Sequence, residues 1–123
     1  MKPTYNWAIL GPGKIAHKFA EALSVTTKGK LFAVGSRNTE RAREFAAQYG
    51  AAKYYGSYEE LIEDKEVDII YISTPHHLHY ELTKKCLLKG KNVLCEKPAC
   101  INSRQFEELR ALAKEMSVFY MDA

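Results

Sequence analysis

Trp7-Ala-Ile-Leu-Gly-Pro-Gly-Lys-Ile-Ala16 is the stretch of sequence from which the fold can be worked out. Its first four residues form a continuous apolar run, as expected of a central strand buried on both faces. Glycine and proline then interrupt the run, and from Lys14 the apolar residues recur at helical spacing. The residues that can share one face of this helix are Ile15, Phe19, Ala22 and Leu23. The stretch therefore predicts a β-strand, a glycine turn and an α-helix.

A glycine turn at the start of a helix is suited to binding phosphate. Glycine has no Cβ, so a ligand can approach the backbone closely, and the helix start offers unpaired N–H groups and a partial positive charge. The spacing also matches the Rossmann dinucleotide fingerprint, with alanine in the third glycine position, where only close helix packing is required. We expect a pyrophosphate to be bound by Gly11, Gly13, Lys14, Ile15 and Ala16. The alternative is a tight strand-to-helix turn that binds nothing.

Strands and helices alternate along the rest of the chain. Further strands are predicted at residues 31–34, 53–55, 67–72, 92–95 and 118–121, with helices between them. Capping residues mark several helix starts, namely Asn38, Ser57 with Glu60, and Asn102 with Gln105. Strands joined through helices by short loops form a parallel sheet with helices on both faces. We predict one α/β domain over residues 1–123, a Rossmann-type doubly wound sheet of order 3-2-1-4-5-6.

The end of the second strand favours NADP. A site that prefers NAD usually has an acidic residue about 20 positions beyond the glycines, where it binds the ribose 2′-hydroxyl. Here that region holds Ser36 and Arg37 instead of an acid, and Arg41 follows one helical turn later. A hydroxyl and two guanidinium groups suit a 2′-phosphate. We predict NADP, with NAD as the alternative if the arginines are only solvated surface residues.

Two further strand ends should face the same crevice, because ligands of such sheets bind beyond the carboxyl ends of the strands. After the fourth strand we expect cofactor contacts from Ser73, Thr74, Pro75 and His79. After the fifth strand, Glu96 precedes Lys97, a lysine that could transfer a proton near the nicotinamide while Glu96 holds it. An ordinary strand-terminal ion pair is the alternative for these two residues.

Composition limits the partners. A net charge of +3 and a pI near 8.7 are too mild to indicate nucleic acid, although they suit an anionic cofactor. No apolar run is long enough for a membrane span, and three cysteines without paired spacing favour reduced thiols. The histidines at 76, 77 and 79 give too few ligands on one face for a metal site. We expect a cytoplasmic protein without a metal and without nucleic-acid or membrane partners.

Five segments in order resemble the N-terminal domain of the Gfo/Idh/MocA oxidoreductases. They lie at residues 11–16, 34–42, 55–61, 74–79 and 90–98. Within that family, the sequences of residues 93–98 and 120–123 are most similar to those of the branch of dimeric dihydrodiol dehydrogenases and NADP-dependent xylose dehydrogenases.

The resemblance implies roles for particular residues. Lys97 matches the family's catalytic lysine, which hydrogen-bonds the reacting oxygen during hydride transfer. Glu96 and the loop 74–79 would contact the nicotinamide ribose. A C-terminal α/β domain would supply substrate contacts, a second acid–base group and usually the oligomer interface. The chain would then be part of a homo-oligomeric enzyme acting on a sugar, polyol or diol, and inactive alone.

Two other functions remain open at this level. A stand-alone nucleotide-sensing or interaction module would use the same glycine turn without catalysis. An enzyme that forms a Schiff base on its lysine is a poorer alternative, because it leaves the glycine turn without a purpose.

Overall fold

Helices follow the strands in the order that the sequence predicts. A computed structural model describes residues 4–96 and 102–122. The strands are β1 (Tyr5–Leu10), β2 (Gly29–Gly35), β3 (Lys53–Tyr55), β4 (Ile69–Ile72), β5 (Asn92–Cys95) and β6 (Tyr120–Asp122). The α-helices are α1 (Lys14–Ser24), α2 (Thr39–Tyr49), α3 (Tyr58–Ile62), α4 (His79–Leu88) and α5 (Ser103–Glu115), and a 3-10 turn at His76–Leu78 leads into α4.

The six strands form one parallel sheet in the order β3-β2-β1-β4-β5-β6, which confirms the predicted topology. The first strand lies at the centre. It pairs with β2 up to Leu10 opposite Gly35, and with β4 up to Leu10 opposite Ile72. The winding direction changes at β1, so the loops after β1, β2 and β4 meet at one edge of the sheet.

Both faces of the sheet are covered, because alternate residues of each strand point in opposite directions. On one face, Ala8 and Leu10 of β1 belong to a core that includes buried residues of α3, α4 and α5. On the other face, Ile9 packs with Val34 and with buried residues of α1 and α2. No helix within the described residues is long and apolar enough to cross a bilayer.

The helix caps agree with the sequence. The side chain of Asn38 accepts a hydrogen bond from the Arg41 N–H at 3.1 Å, and Asn102 accepts one from the Gln105 N–H at 2.9 Å. Gly50 ends α2 with a φ of 73°, a left-handed conformation that glycine adopts without strain. At α3, Ser57 caps the Glu60 N–H at 3.1 Å, but the Glu60 carboxylate accepts from the Ser57 hydroxyl, where a full capping box would have it accept from the Ser57 N–H.

The buried face of α1 differs from the prediction. Ala16, Ala20 and Leu23 are buried there, whereas Ile15 is 43% exposed and Ala22 is exposed. The reason is that small alanines let the helix lie close to the central strand. Hydrophobicity alone does not reveal this, since it favours the larger side chains for the core.

Two strands begin later than predicted, because turns occupy their first residues. Before β4, the Val67 N–H donates to the Asp64 carbonyl and the Asp68 N–H to the Asn6 carbonyl, so pairing starts at Ile69. Before β6, Ser117 has a φ of 58° and the Val118 N–H donates back to α5. The strand therefore begins at Tyr120.

Candidate functional site

A cleft of about 480 Å³ opens where the loops after β1, β2 and β4 meet. It lies where the winding of the sheet changes direction, which is the expected ligand position. In the part of the chain that the structure describes, no acidic side chain lines it. Its lining residues are Gly11, Pro12, Gly13, Ser36, Arg37, Asn38, Arg41, Tyr58, Ser73, Thr74, Pro75, His76 and Leu78.

The two glycines of the turn are needed for different reasons. Gly11 has a φ of 89°, and a Cβ there would lie 2.9 Å from the Cα of Thr74, so the fold itself requires glycine. Gly13 has an ordinary φ of −97°, and a Cβ on it would meet nothing within 4 Å. The protein therefore does not need a glycine at position 13 for packing. A glycine there keeps open the space in front of α1, which fits a ligand that approaches the backbone.

The start of α1 fits an anion. Gly13 is its N-cap and offers no side-chain hydrogen bond, whereas Asn38, Ser57 and Asn102 cap α2, α3 and α5. The first N–H groups of a helix lack partners within the helix, and a phosphate can bind them. Lys14 and Ile15 are exposed and Ala16 is buried, and none of these side chains lines the cleft. We therefore expect these three residues to contact a ligand through the backbone.

The loop after β4 is hydrogen-bonded to the glycine turn. The Ser73 hydroxyl donates to the Gly11 carbonyl at 2.7 Å, and the Ser73 N–H donates to the Leu10 carbonyl at 2.9 Å. Thr74 is 4% exposed, and its hydroxyl has no hydrogen-bond partner among residues 4–96 and 102–122. A buried hydroxyl without a partner is costly, so this group fits a site where a ligand supplies the missing bond.

His79, the first residue of α4, is buried beside the loop after β4. Its side chain is 1% exposed, and its Nε2 lies 2.6 Å from the Thr74 carbonyl oxygen. Because a carbonyl only accepts, Nε2 carries the proton in this hydrogen bond. This hydrogen bond ties the start of α4 to the loop after β4, and the contact of His79 with a nicotinamide stays a prediction. His76, which belongs to the loop 74–79 expected at the nicotinamide ribose, lines the cleft.

The predicted 2′-phosphate residues do come together. Ser36 is 6% exposed, and its Oγ accepts a hydrogen bond from the Asn38 N–H at 3.1 Å. The Arg41 guanidinium donates to the Pro12 carbonyl at 3.4 Å, which places it beside the glycine turn. Arg37 lies on the same cleft wall.

Glu96 lies at the end of the neighbouring strand. Its N–H donates to the Ile72 carbonyl at 2.9 Å, and its carboxylate accepts a hydrogen bond from the Tyr71 hydroxyl. Burial, together with the Glu96 carboxylate, raises the pKa of Tyr71, so the hydroxyl stays protonated and donates. Lys97 lies outside the described residues, and its catalytic role stays a prediction.

No group of three or more His, Cys, Asp or Glu side chains in the described ranges could hold a metal ion. Cys86 and Cys95 are buried in the core on α4 and β5. Burial raises the pKa of the Cys86 thiol and keeps it unreactive. The expected absence of a metal stays a prediction for the chain as a whole.

Two residues of the cleft, Asn38 and Tyr58, were not predicted from the sequence to face a ligand. The local sequence indicates a helix cap for Asn38, and Tyr58 directly follows the cap Ser57. Their position on the strand-end side of the sheet was the available signal, because each follows the carboxyl end of a strand by a few residues.

A doubly wound parallel sheet with an open glycine turn and an uncapped helix at its strand ends defines an NAD(P)-binding Rossmann domain. The chain belongs to the Gfo/Idh/MocA oxidoreductase family. The sequence profile described as an oxidoreductase family with an NAD-binding Rossmann fold matches residues 5–122. The family expected from the five segments is thereby confirmed.

This chain covers only about a third of the length of the relatives that it matches. The trans-1,2-dihydrobenzene-1,2-diol dehydrogenase of Xenopus tropicalis is 41% identical over 120 residues, which are 96% of this chain and 36% of that protein. A 3-ketoreductase from Actinomadura kijaniata, crystallised with NADP and TDP-benzene, superposes with a TM-score of 0.93 at 31% identity over 97% of this chain and 37% of its own. An NAD binding oxidoreductase from Klebsiella pneumoniae gives a TM-score of 0.90 at 31% identity over 98% and 34%.

Proposed function

We propose that this chain is the cofactor-binding domain of an NADP-dependent oxidoreductase that transfers hydride to or from a CH–OH group of a sugar, polyol or diol. The observation that carries the proposal is that Ser36, Arg37 and Arg41 lie together on a cleft wall that has no acidic side chain among the described residues. A ribose 2′-hydroxyl would call for a carboxylate at this position, whereas a 2′-phosphate calls for cations. The 3-ketoreductase crystallised with NADP and the dihydrodiol dehydrogenase are consistent with the cofactor and the substrate class.

Different residues of the cleft would bind different parts of the cofactor. The backbone at Gly13 and the start of α1 would bind the pyrophosphate, and Arg37 and Arg41 would bind the 2′-phosphate. The Thr74 hydroxyl would donate its free hydrogen bond towards the nicotinamide half. When bound, the dinucleotide supplies the hydride chemistry. The role of the chain is to orient it and to exclude water from its phosphates.

In this proposal Lys97 is the acid–base residue, and Glu96, held by Tyr71, precedes it in the sequence. Substrate contacts and a second acid–base group would come from a further domain of a homo-oligomeric, cytoplasmic enzyme without nucleic-acid or membrane partners. In a protein of the relatives' full length, Lys97→Met should lower kcat by about a hundredfold or more while NADPH affinity changes little. Steady-state kinetics with fluorescence titration of NADPH would measure both quantities. An equal loss of affinity would make Lys97 a binding residue.

Calorimetric titration of the chain with NADPH and NADH tests the cofactor assignment. We expect NADPH to bind at least about tenfold more tightly, because two cations face the extra phosphate. Arg37→Asp should reverse the preference. The control is Arg110→Asp on α5, which changes the net charge equally but lies outside the cleft.

Two outcomes would contradict the proposal. Absence of binding by either nucleotide to a folded chain would remove the cofactor site altogether. An unchanged ratio of the NADPH and NADH affinities in Arg37→Asp would remove the NADP assignment and leave a dinucleotide site of another preference.

A further inference from the structure

Tyr58, the first residue of α3, lines the cleft beside the predicted 2′-phosphate residues, yet the proposed function gives it no role. The residue is 8% exposed and its ring belongs to the core under α3. Its hydroxyl makes no hydrogen bond to the part of the chain that the structure describes. The hydroxyl is not among the fully buried atoms without a partner, so it reaches the open cleft, where a ligand can accept its hydrogen bond.

The fold places Tyr58 next to Arg37 through two local contacts. The Ser36 N–H donates to the Tyr55 carbonyl at 3.1 Å, which ties the end of β2 to the end of β3. Gly56 then packs against Thr39, where a Cβ would overlap the threonine hydroxyl. The loop between β3 and α3 is thus held against the first residue of α2, and the side chain of Tyr58 lies under that of Arg37.

The electrostatic surroundings make the Tyr58 hydroxyl a hydrogen-bond donor. The guanidinium carbon of Arg37 lies 5.7 Å from the centre of the Tyr58 ring, within cation–π distance. Burial raises the pKa of Tyr58, and the charges of Arg37 and Arg41 oppose this effect without cancelling it. The hydroxyl therefore stays protonated at neutral pH, close to two cations that would attract the same anion.

We propose that Tyr58 is a specificity-determining residue for the 2′-phosphate of NADP, with its ring supporting Arg37 and its hydroxyl donating a hydrogen bond to the phosphate. The inference rests on the proposed NADP site and adds a neutral donor to its two cations. Held in place by the core, Tyr58 would give a mobile arginine side chain a fixed position over the cleft.

The test compares Tyr58→Phe and Tyr58→Met by calorimetry with NADPH and NADH. Tyr58→Phe removes only the hydroxyl and should weaken NADPH binding about fivefold, while Tyr58→Met also removes the ring and should weaken it about twentyfold. NADH affinity should stay within about twofold in both, because NADH lacks the phosphate. Phe106→Met is the matched control, since Arg110 lies 5.7 Å over that ring outside the cleft.

The outcomes separate this inference from the one on which it rests. If wild-type protein does not prefer NADPH, the NADP assignment fails and the role of Tyr58 fails with it. If the preference exists and Arg37→Asp abolishes it, but Tyr58→Phe and Tyr58→Met both keep the wild-type ratio, only the role of Tyr58 is overturned. An equal loss of NADPH and NADH affinity would show a structural residue and also overturn it. Circular dichroism confirms that each variant is folded.

Discussion

Some polar groups at the carboxyl ends of the strands lack a partner, whereas a hydrogen-bonded cluster lies at the amino ends. At the carboxyl ends, the hydroxyls of Thr74 and Tyr58 and the first turn of α1 have no side-chain partners among the described residues. At the amino ends, the buried ammonium of Lys91 donates to the carbonyl oxygens of Asp64 at 2.6 Å and Val67 at 2.9 Å.

The polar groups of Asp64 and Lys91 at the amino ends of the strands are hydrogen-bonded within the protein. The Asp64 carboxylate accepts hydrogen bonds from the Tyr55 hydroxyl at 2.7 Å and from the Glu66 N–H at 2.9 Å. Loops at the carboxyl ends lead from strands to helices, and loops at the amino ends lead from helices back to strands. Satisfied buried groups stabilise a fold, whereas unsatisfied ones cost free energy unless a ligand binds them. The comparison indicates that one end of the sheet is built for stability and the other for binding.

The largest effects are expected at the glycine turn. Gly11→Ala should destabilise the fold by about 2 kcal/mol or more, because alanine meets both a positive φ and the backbone of Thr74. Gly13→Ala should change the free energy of unfolding by less than about 0.5 kcal/mol, yet weaken NADPH binding about tenfold or more. Urea unfolding and calorimetry measure the two quantities. Normal NADPH binding by Gly13→Ala would show that the open space does not serve the ligand.

A smaller effect on stability is expected at the amino ends. Burial would raise the pKa of the Asp64 carboxyl, but hydrogen bonds from Tyr55 and the Glu66 N–H, together with the charge of Lys53, outweigh it and lower this pKa from its ordinary value. The pKa of Asp64 in the folded protein lies below that in the unfolded chain. The carboxylate therefore contributes its full stability above the unfolded pKa, and this contribution is lost as the pH falls through the folded pKa. Asp64→Asn should therefore destabilise the fold by about 2 kcal/mol at pH 7, with no effect on NADPH affinity.

Urea unfolding at pH 7 and at pH 3 checks this prediction. The difference in unfolding free energy between wild type and Asp64→Asn should narrow at the lower pH, because the Asp64 carboxyl of the unfolded wild type binds a proton there more readily than that of the folded protein. A difference that is equal at both pH values would mean that the charge of Asp64 is not what stabilises the loop.

The smallest effects are expected at two buried threonines, which should differ in their effect on NADPH binding. Thr74 in the cleft and Thr83 on α4 both have hydroxyls without a hydrogen-bond partner in the described part of the chain. Replacing either with valine should raise the free energy of unfolding by about 1 kcal/mol, because a buried hydroxyl without a partner costs free energy. Only Thr74→Val should weaken NADPH binding, by about fivefold. Equal behaviour of the two variants in calorimetry would contradict a ligand role for Thr74.

Local signals explain why so much of the fold could be predicted. The bounds of α2 follow from Asn38 and Gly50, whose capping roles depend only on their immediate neighbours. The cleft residues Ser36, Arg37 and Arg41 could be placed because the parallel topology brings strand ends to one edge. The buried position of His79 could not be predicted, because whether a helix-start residue faces a ligand or the loop below it depends on how the helix docks.

The sequence by itself determined the alternation of strands and helices, the strand order, the glycine turn and the family, since each depends on patterns within about 30 adjacent residues or on motifs in a set order. Only the tertiary structure decided which face of α1 is buried, how Tyr58 lies under Arg37, and how Lys91 reaches Asp64 across 27 positions of the chain. These contacts join residues that are neighbours in space but not in sequence. Their geometry is set by packing, which no local pattern records.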